Sequence, residues 1–445
     1  MFKRVFFSAA LLALSAGPAA VAQTAVWTAD SLGSMAVAAG VLDLDMPGPG
    51  IVWGIQRDGS PPVTLLQDMF VTADRGATWF ANTIVTDSSA GKNLTNISGV
   101  DGLTAYIGGF DAAIGGGYLF KTTDGGQTFT DAPIPGVEWL NAIHFFDANT
   151  GLLLSDPSTA EYDVFRTING GTTWTRVPAA ILPNPEPGDY GLTNQFYALG
   201  DHIWFGTGKG RVYHSPDRGL TWTVGDTGFR NSGNTEALRN FAFASPLIGL
   251  VTSVDGLMKR TVDGGTTWTA LTPTGPIYSS HLTGVPGTDS VFVGSSAAVD
   301  SSGTSYTTNA GMTWTLLDSS QQYLSLEFWD GRHGWAGGFT NTGGTDGIFR
   351  YTGAPLGPLV PVATSPGIVR EASAAYPNPT AGRVRLVGTE PRETVTVYDA
   401  AGRTVLHQLI GTTSTLDLSC QPTGLYQLVF SGGKQTRTTR VAVVR

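Results

Sequence analysis

The chain has almost no cysteine. Cys420 stands alone, so no intramolecular disulfide can form and nothing supports a thiolate-held metal. Long apolar runs are also lacking. The N-terminal stretch 5–14 is too short to span a bilayer, and no later segment approaches the necessary length. Basic residues are outnumbered, with 26 Lys and Arg against 35 Asp and Glu. Setting aside Lys3, Arg4 and residues 371–445, which carry 8 basic and 5 acidic groups, leaves 16 against 30, a net charge near −14. A surface of that sign argues against nucleic acid, whose binding needs phosphates neutralised by Lys and Arg. No nucleophile elbow, phosphate loop or His-x-x-x-His spacing occurs. The six histidines are scattered, and His144 and His333, on or beside expected strands, read as structural. No metal site and no cofactor are expected.

Glycine, by contrast, is abundant, and one holds a fixed place in each copy of a repeated motif, Ser/Thr-x-Asp/Asn-x-Gly-x-Thr-Trp/Phe. Its third positions are Asp74, Asp124, Asn169, Asp217, Asp263 and Asn309, with steps of 50, 45, 48, 46 and 46 residues. Each copy reads as a hairpin turn. The Asp or Asn side chain accepts backbone N–H groups, the Gly supplies a positive φ, and the aromatic residue opens the next strand, where it can pack between repeats. A period in the forties with strand-like flanks predicts an all-β propeller of four-stranded blades.

Six motifs mark six blades, and a seventh is visible without one. Segments 324–328, 334–338 and 348–351 match the strand pattern of 142–146, 151–154 and 163–166 but lack an outer strand. Val26-Trp27-Thr28 looks like a strand leaving such a turn, so it is expected to complete the seventh blade and close the ring.

These turns resemble the Asp-box, or BNR repeat, found in sialidases, xyloglucanase-type glycosidases, sortilin-like receptors and photosystem II assembly-factor propellers. The resemblance covers roughly residues 24–355 and implies a seven-bladed propeller in which Asp74, Asp124, Asn169, Asp217, Asp263 and Asn309 are structural. It also implies that the motif turns lie on the face opposite the ligand-binding face.

Residues 1–22 read as a signal peptide: Lys3 and Arg4, an apolar run, then Ala20-Val21-Ala22 before Gln23. The propeller is expected over 23–355 and a Pro/Gly/Ala-rich linker over 356–373. Short alternating strands then describe a small, Ig-like β-sandwich over 374–445. Its Tyr376-Pro377-Asn378-Pro379 start, Val397-Tyr398-Asp399 turn running to Gly402-Arg403, Gly424-Leu425-Tyr426 strand and basic end resemble the type A C-terminal sorting domain of type IX secretion. That resemblance implies the secretion machinery as a partner of residues 374–445, and a protein that is secreted or held on the outer cell surface.

The functional face should be built from loops joining one blade to the next and from turns between second and third strands. The longest are 178–194 and 224–240. Trp139, Tyr190, Arg230, Arg239 and Tyr278 are candidate ligand-binding residues, because aromatic rings beside charged groups suit a sugar or peptide. A glycosidase needs two carboxylates about 5–10 Å apart across one cleft. Asp156, Asp189 and Glu236 are the candidates, with Glu161 and Asp255 behind them. A sialidase would need an arginine cluster, for which Arg211, Arg230 and Arg239 are only a partial set, and the Phe-Arg-Ile-Pro segment is absent. The blade texture, as in Trp329-Asp330 running to Gly334-Trp335-Ala336-Gly337-Gly338, resembles the photosystem II assembly-factor type. There the propeller is a protein-binding scaffold. Two readings therefore stand: a non-catalytic binder of surface protein or polysaccharide, and an extracellular glycoside hydrolase.

Overall fold

A computed structural model describes residues 26–357 and 374–443, apart from 33–38, 59–64, 112, 114, 159–160, 231–237, 340–346, 377–381, 388–393, 400–402, 410–414 and 432–436. The expected signal peptide, most of the linker and Glu236 lie outside the described residues. The chain separates into two compact units, Met1–Val360 and Pro361–Arg445.

The first unit is seven antiparallel four-stranded sheets arranged as a closed ring, a seven-bladed propeller. The innermost strands, in order, are Ala39–Gly48, Asn93–Gly99, Leu140–Phe145, Gly191–Leu199, Leu238–Phe243, His281–Gly284 and Tyr323–Phe328. Blade 7 takes its fourth strand from the N-terminus: Trp27–Asp30 pairs with Ile348–Tyr351, as the sequence led us to expect. Trp27 is buried among Tyr323, Phe328 and Tyr351, and its Nε1 donates to Thr304 Oγ1 of blade 6 at 2.9 Å. Leu356, read from sequence as the first linker residue, is buried in this same cluster, and its N–H donates to the Gly331 carbonyl.

The apolar cores lie between blades. Trp53, Ile55 and Met69 of blade 1 meet Ile97, Ile107 and Phe120 of blade 2, and the other seams repeat the scheme. Innermost strands have one unpaired edge, and its N–H groups need partners. Short polar side chains of the preceding blade supply them. Asp43 accepts from Ile97 N at 3.0 Å, Asn96 from Ile143 N at 2.9 Å and Asn240 from Leu282 N at 3.1 Å.

Each repeated motif sits between the third and fourth strands of its blade. In the first copy Asp74 Oδ1 accepts from Thr72 Oγ1 (2.8 Å) and Thr78 N (2.8 Å), and Oδ2 accepts from Thr78 Oγ1 (2.6 Å). Thr72 Oγ1 in turn accepts from Gly76 N at 3.0 Å. The same bonds recur around Asp124, Asp217 and Asp263. Where the residue is Asn169 or Asn309, the side-chain amide donates to the second Thr hydroxyl instead. The turn needs two consecutive left-handed residues. Gly76 has φ +80°, and the residue before it, Arg75, has φ +62°.

The second unit is a small two-sheet β domain. One sheet holds Ala374–Tyr376, Arg383–Val387 and Thr415–Asp417, and the other Thr394–Tyr398, Thr404–Leu409, Gly424–Ser431 and Arg437–Val443. Val384, Leu386 and Leu416 of the first sheet meet Val395, Val397, Leu428 and Phe430 of the second in one core, as a sandwich requires. Arg403 closes the turn after Tyr398, donating from its backbone N and from Nε to Asp399.

Candidate functional site

The expected site residues fall into two groups. Trp139, Asp189, Tyr190, Arg230 and Tyr278 lie on inter-blade loops, and Asp156 lies between the second and third strands of blade 3. Arg239, expected in a loop, lies on the innermost strand of blade 5. In the first group, the loop, expected over 178–194, ends at residue 190, where the innermost strand of blade 4 begins, and it folds over that blade. Asp189 is buried and accepts from Thr207 Oγ1 (2.8 Å), Lys209 N (2.9 Å) and Tyr190 N (3.0 Å). Asp156 accepts from Asn141 Nδ2 (2.7 Å) and Gly191 N (2.9 Å). Burial raises its carboxyl above the ordinary value, and the nearby Glu138 and Asp189 add to the effect. The backbone carbonyl of half-buried Trp139 accepts from Asp156 N, and its ring lies 5.1 Å from that of Phe110. Tyr190 is 37% exposed and lies over Gly208, where an added Cβ would meet its ring. Arg230 pairs with Asp226 and stands 3.7 Å from Glu186. The structure therefore gathers Asp156, Asp189, Tyr190 and Arg230 around one folded loop.

The second group is at blades 5 and 6. Arg239 donates to Ser280 Oγ at 2.9 Å, and Tyr278 N donates to Ser305 Oγ at 3.2 Å. Among the remaining candidates, Glu161 pairs with Arg176, which also holds Asp163, and Asp255 lies exposed on a turn. Arg211 donates to the Asn184 carbonyl.

Sequence reasoning missed the central channel. All seven innermost strands line a cavity of about 100 Å³ that contains Asp43, Asp45 and Glu327 together with His144, His281, Asn194 and Asn240. His281 opens the innermost strand of blade 6, and His144 faces the channel beside Phe146 and Phe196. Half-buried along the channel, the carboxyls titrate high. Burial pushes Asp43 up to about 6 and Asp45 up to about 7, and Glu327 rises well above the ordinary value with the two aspartates adding to burial. Burial lowers both imidazoles to about 4, so they are neutral at neutral pH. Among the described residues no three His, Cys, Asp or Glu groups are placed to share a metal ion. The signal in the sequence was Leu42-Asp43-Leu44-Asp45-Met46, acids alternating with apolar residues on an innermost strand. None of Asp156, Asp189, Arg230 or Arg239 lines this cavity.

Residues 374–444 match the secretion system C-terminal sorting domain family. That domain marks the chain for export by type IX secretion to the cell surface or the extracellular space, and the export machinery is its partner. No curated protein matches the chain. Among solved structures, YCF48 from Cyanidioschyzon merolae is similar at 13% identity and TM-score 0.51, over 74% of this chain and 99% of that one. A structure of YCF48 bound to D1 peptide is similar at 16% identity and TM-score 0.49, covering 74% and 97%. The GH74 xyloglucanase from Xanthomonas campestris is similar at 15% identity and TM-score 0.49 over 74% of this chain, which spans 55% of that enzyme. At these identities the likeness concerns the fold alone. No helix among the described residues is long and apolar enough to cross a membrane.

Proposed function

We propose that the propeller is a non-catalytic binder of surface protein or polysaccharide, delivered by its sorting domain. The supporting observation is how Asp156 and Asp189 are used. Both direct their oxygens at backbone and side-chain donors that hold the 178–190 loop and the start of the strand after it. Carboxylates engaged in this way build a platform rather than attack a bond. What the platform presents is a partly exposed tyrosine and an arginine, a pairing suited to recognition.

The test is a screen of the full chain against arrays of polysaccharides and outer-surface proteins, with retention and reducing-sugar release read in parallel. Retention without release, weakened by Tyr190→Ala and Arg230→Ala, is the expected result. One observation favours the hydrolase instead: the raised carboxyl of Asp156 is what a general acid requires. Sugar release abolished by Asp156→Asn would establish that reading and remove the first.

A further inference from the structure

The channel opens into a second cavity of about 400 Å³, lined from every blade but the fifth. Its residues sit at the turns between first and second strands, so this mouth lies on the face of the repeated motifs. The floor is Asp45, Glu327 and neutral His144, shared with the inner cavity. The wall is apolar and includes Met46, Pro47, Phe146, Leu199, Phe328 and Trp329, the last 40% exposed.

The floor is acidic and lacks a basic partner among the described residues. Asp45 accepts from Gly99 N at 2.6 Å, but among the described residues none donates a hydrogen bond to the Glu327 carboxyl. That carboxyl is half-buried, faces both cavities and has two more acids as neighbours. Neither cavity is lined by a Lys or Arg among the described residues. The nearby cation, Arg218 over the Phe146 ring, is held by Asp147 at 2.6 Å and Asp201 at 2.7 Å, two carboxylates for one guanidinium. Neighbouring carboxyls with no cation beside them repel one another when ionised, and a positive ligand offsets that repulsion.

We propose that this mouth binds a primary alkylammonium group, its aliphatic stem lying on the Phe146, Leu199 and Trp329 wall and its head reaching Glu327 and Asp45. An ammonium carries three donors on a compact head, which suits the narrow floor. The aromatic wall favours a cation on an apolar stem. A metal ion is disfavoured because no three ligating groups converge among the described residues. The stem and head belong equally to a lysine side chain of a protein partner and to a free diamine. The site lies opposite the loop platform, and it stands independently of the reading given above for those loops.

The test is isothermal titration of the full chain with three probes: 1,5-diaminopentane, N-acetyl-lysine-methylamide and 1,5-pentanediol. Trp329 is a local fluorescence reporter. Both ammonium probes are expected to bind and the diol to give no heat. The tighter of the two amines identifies the source. Glu327→Gln is expected to weaken binding at least about tenfold without lowering the melting temperature, since the amide keeps the shape of a carboxyl to which no described residue donates. Asp45→Asn, which retains an acceptor for Gly99 N, is the second variant. Equal binding of the diol, unchanged affinity in Glu327→Gln, displacement by equimolar calcium, or no heat up to about 10 mM probe would each overturn the proposal.

Discussion

The side-chain amide of Asn194, on the innermost strand of blade 4, donates to the carboxylate of Asp43 on blade 1 at 3.3 Å, across the centre of the ring. The same carboxylate accepts from Ile97 N on blade 2. One side chain thus ties three blades, and the channel is crossed rather than open from end to end at this level. Tyr197 makes a second such tie, its hydroxyl accepting from Gly284 N of blade 6 at 3.0 Å. The acids lying below the crossing towards the motif face, Asp45 and Glu327, are therefore reached from that face.

These acids should make stability depend on pH in a defined direction. An unfolded aspartate ionises near pH 4. Folded Asp45 keeps its proton to about 7 and Asp43 to about 6. Between those limits the folded chain holds protons that the unfolded chain has lost, so their contribution falls as pH rises. For Asp45 the loss is on the order of 4 kcal/mol at most. His144 and His281 act oppositely, gaining stability as pH rises from about 4 through the ordinary histidine range. The groups facing Asp45 are Asp43, Glu327 and His144, with Arg218 beyond Phe146. The wild-type profile mixes these effects, so the Asp45→Asn difference isolates one of them. The variant should melt higher than wild type at pH 8 and level with it near pH 4. A melting-temperature difference that stays constant with pH would exclude the mechanism.

The motif turns make a prediction about exchangeability. Asp263 accepts from Thr261 Oγ1, Thr267 N and Thr267 Oγ1. Asp263→Ala removes all three and should cost about 1–2 kcal/mol in urea unfolding. Asp263→Asn should cost less than about 0.5 kcal/mol, because Asn169 and Asn309 already fill this place with an amide donating to the second threonine. Equal losses in the two variants would mean that the acceptor bonds are not what holds the turn.

The propeller was legible because its turn leaves a local chemical signature. Six spacings of Thr, Asp, Gly and Trp fix six hairpins, and Trp27 followed by Thr28 repeats the exit from such a turn closely enough to assign the closing strand. The sites were less legible for a physical reason. Asp156 and Asp189 look like any loop carboxylates until their donors, Asn141, Gly191, Thr207 and Lys209, are brought in from neighbouring strands. Asp43 and Asp45 alternate with Leu44 and Met46 as on any strand with one wet face. Nothing local says that the wet face is the inside of a ring, where Glu327, distant in sequence but on the adjoining blade 7, completes the acidic floor.

Arg75 offers a stabilising change. It is exposed and has φ +62°, a region in which a side chain costs about 1 kcal/mol. Three other copies of the motif, at Gly125, Gly170 and Gly264, place glycine at this step. Arg75→Gly should therefore raise stability by about 0.5–1 kcal/mol, measured as an increased urea midpoint with unchanged slope. A lower midpoint would show that the side chain contributes more than the backbone strain it imposes.

Ring closure rests on Trp27, and its two kinds of contact can be separated. The indole is buried against Tyr323, Phe328 and Tyr351, and its N–H bonds to Thr304 on the neighbouring blade. Trp27→Ala removes both and should cost about 3–5 kcal/mol. Trp27→Phe keeps most of the ring packing, loses the N–H and leaves the Thr304 hydroxyl without that donor, for about 1–2 kcal/mol. If the N-terminal strand is what completes blade 7, the alanine variant should also expose the edge of Ile348–Tyr351. That edge would appear in hydrogen exchange as faster amides at Ile348 to Tyr351 while blades 2 to 5 stay protected. Uniformly faster exchange would instead mean that the ring opens as a whole and that no single seam governs it.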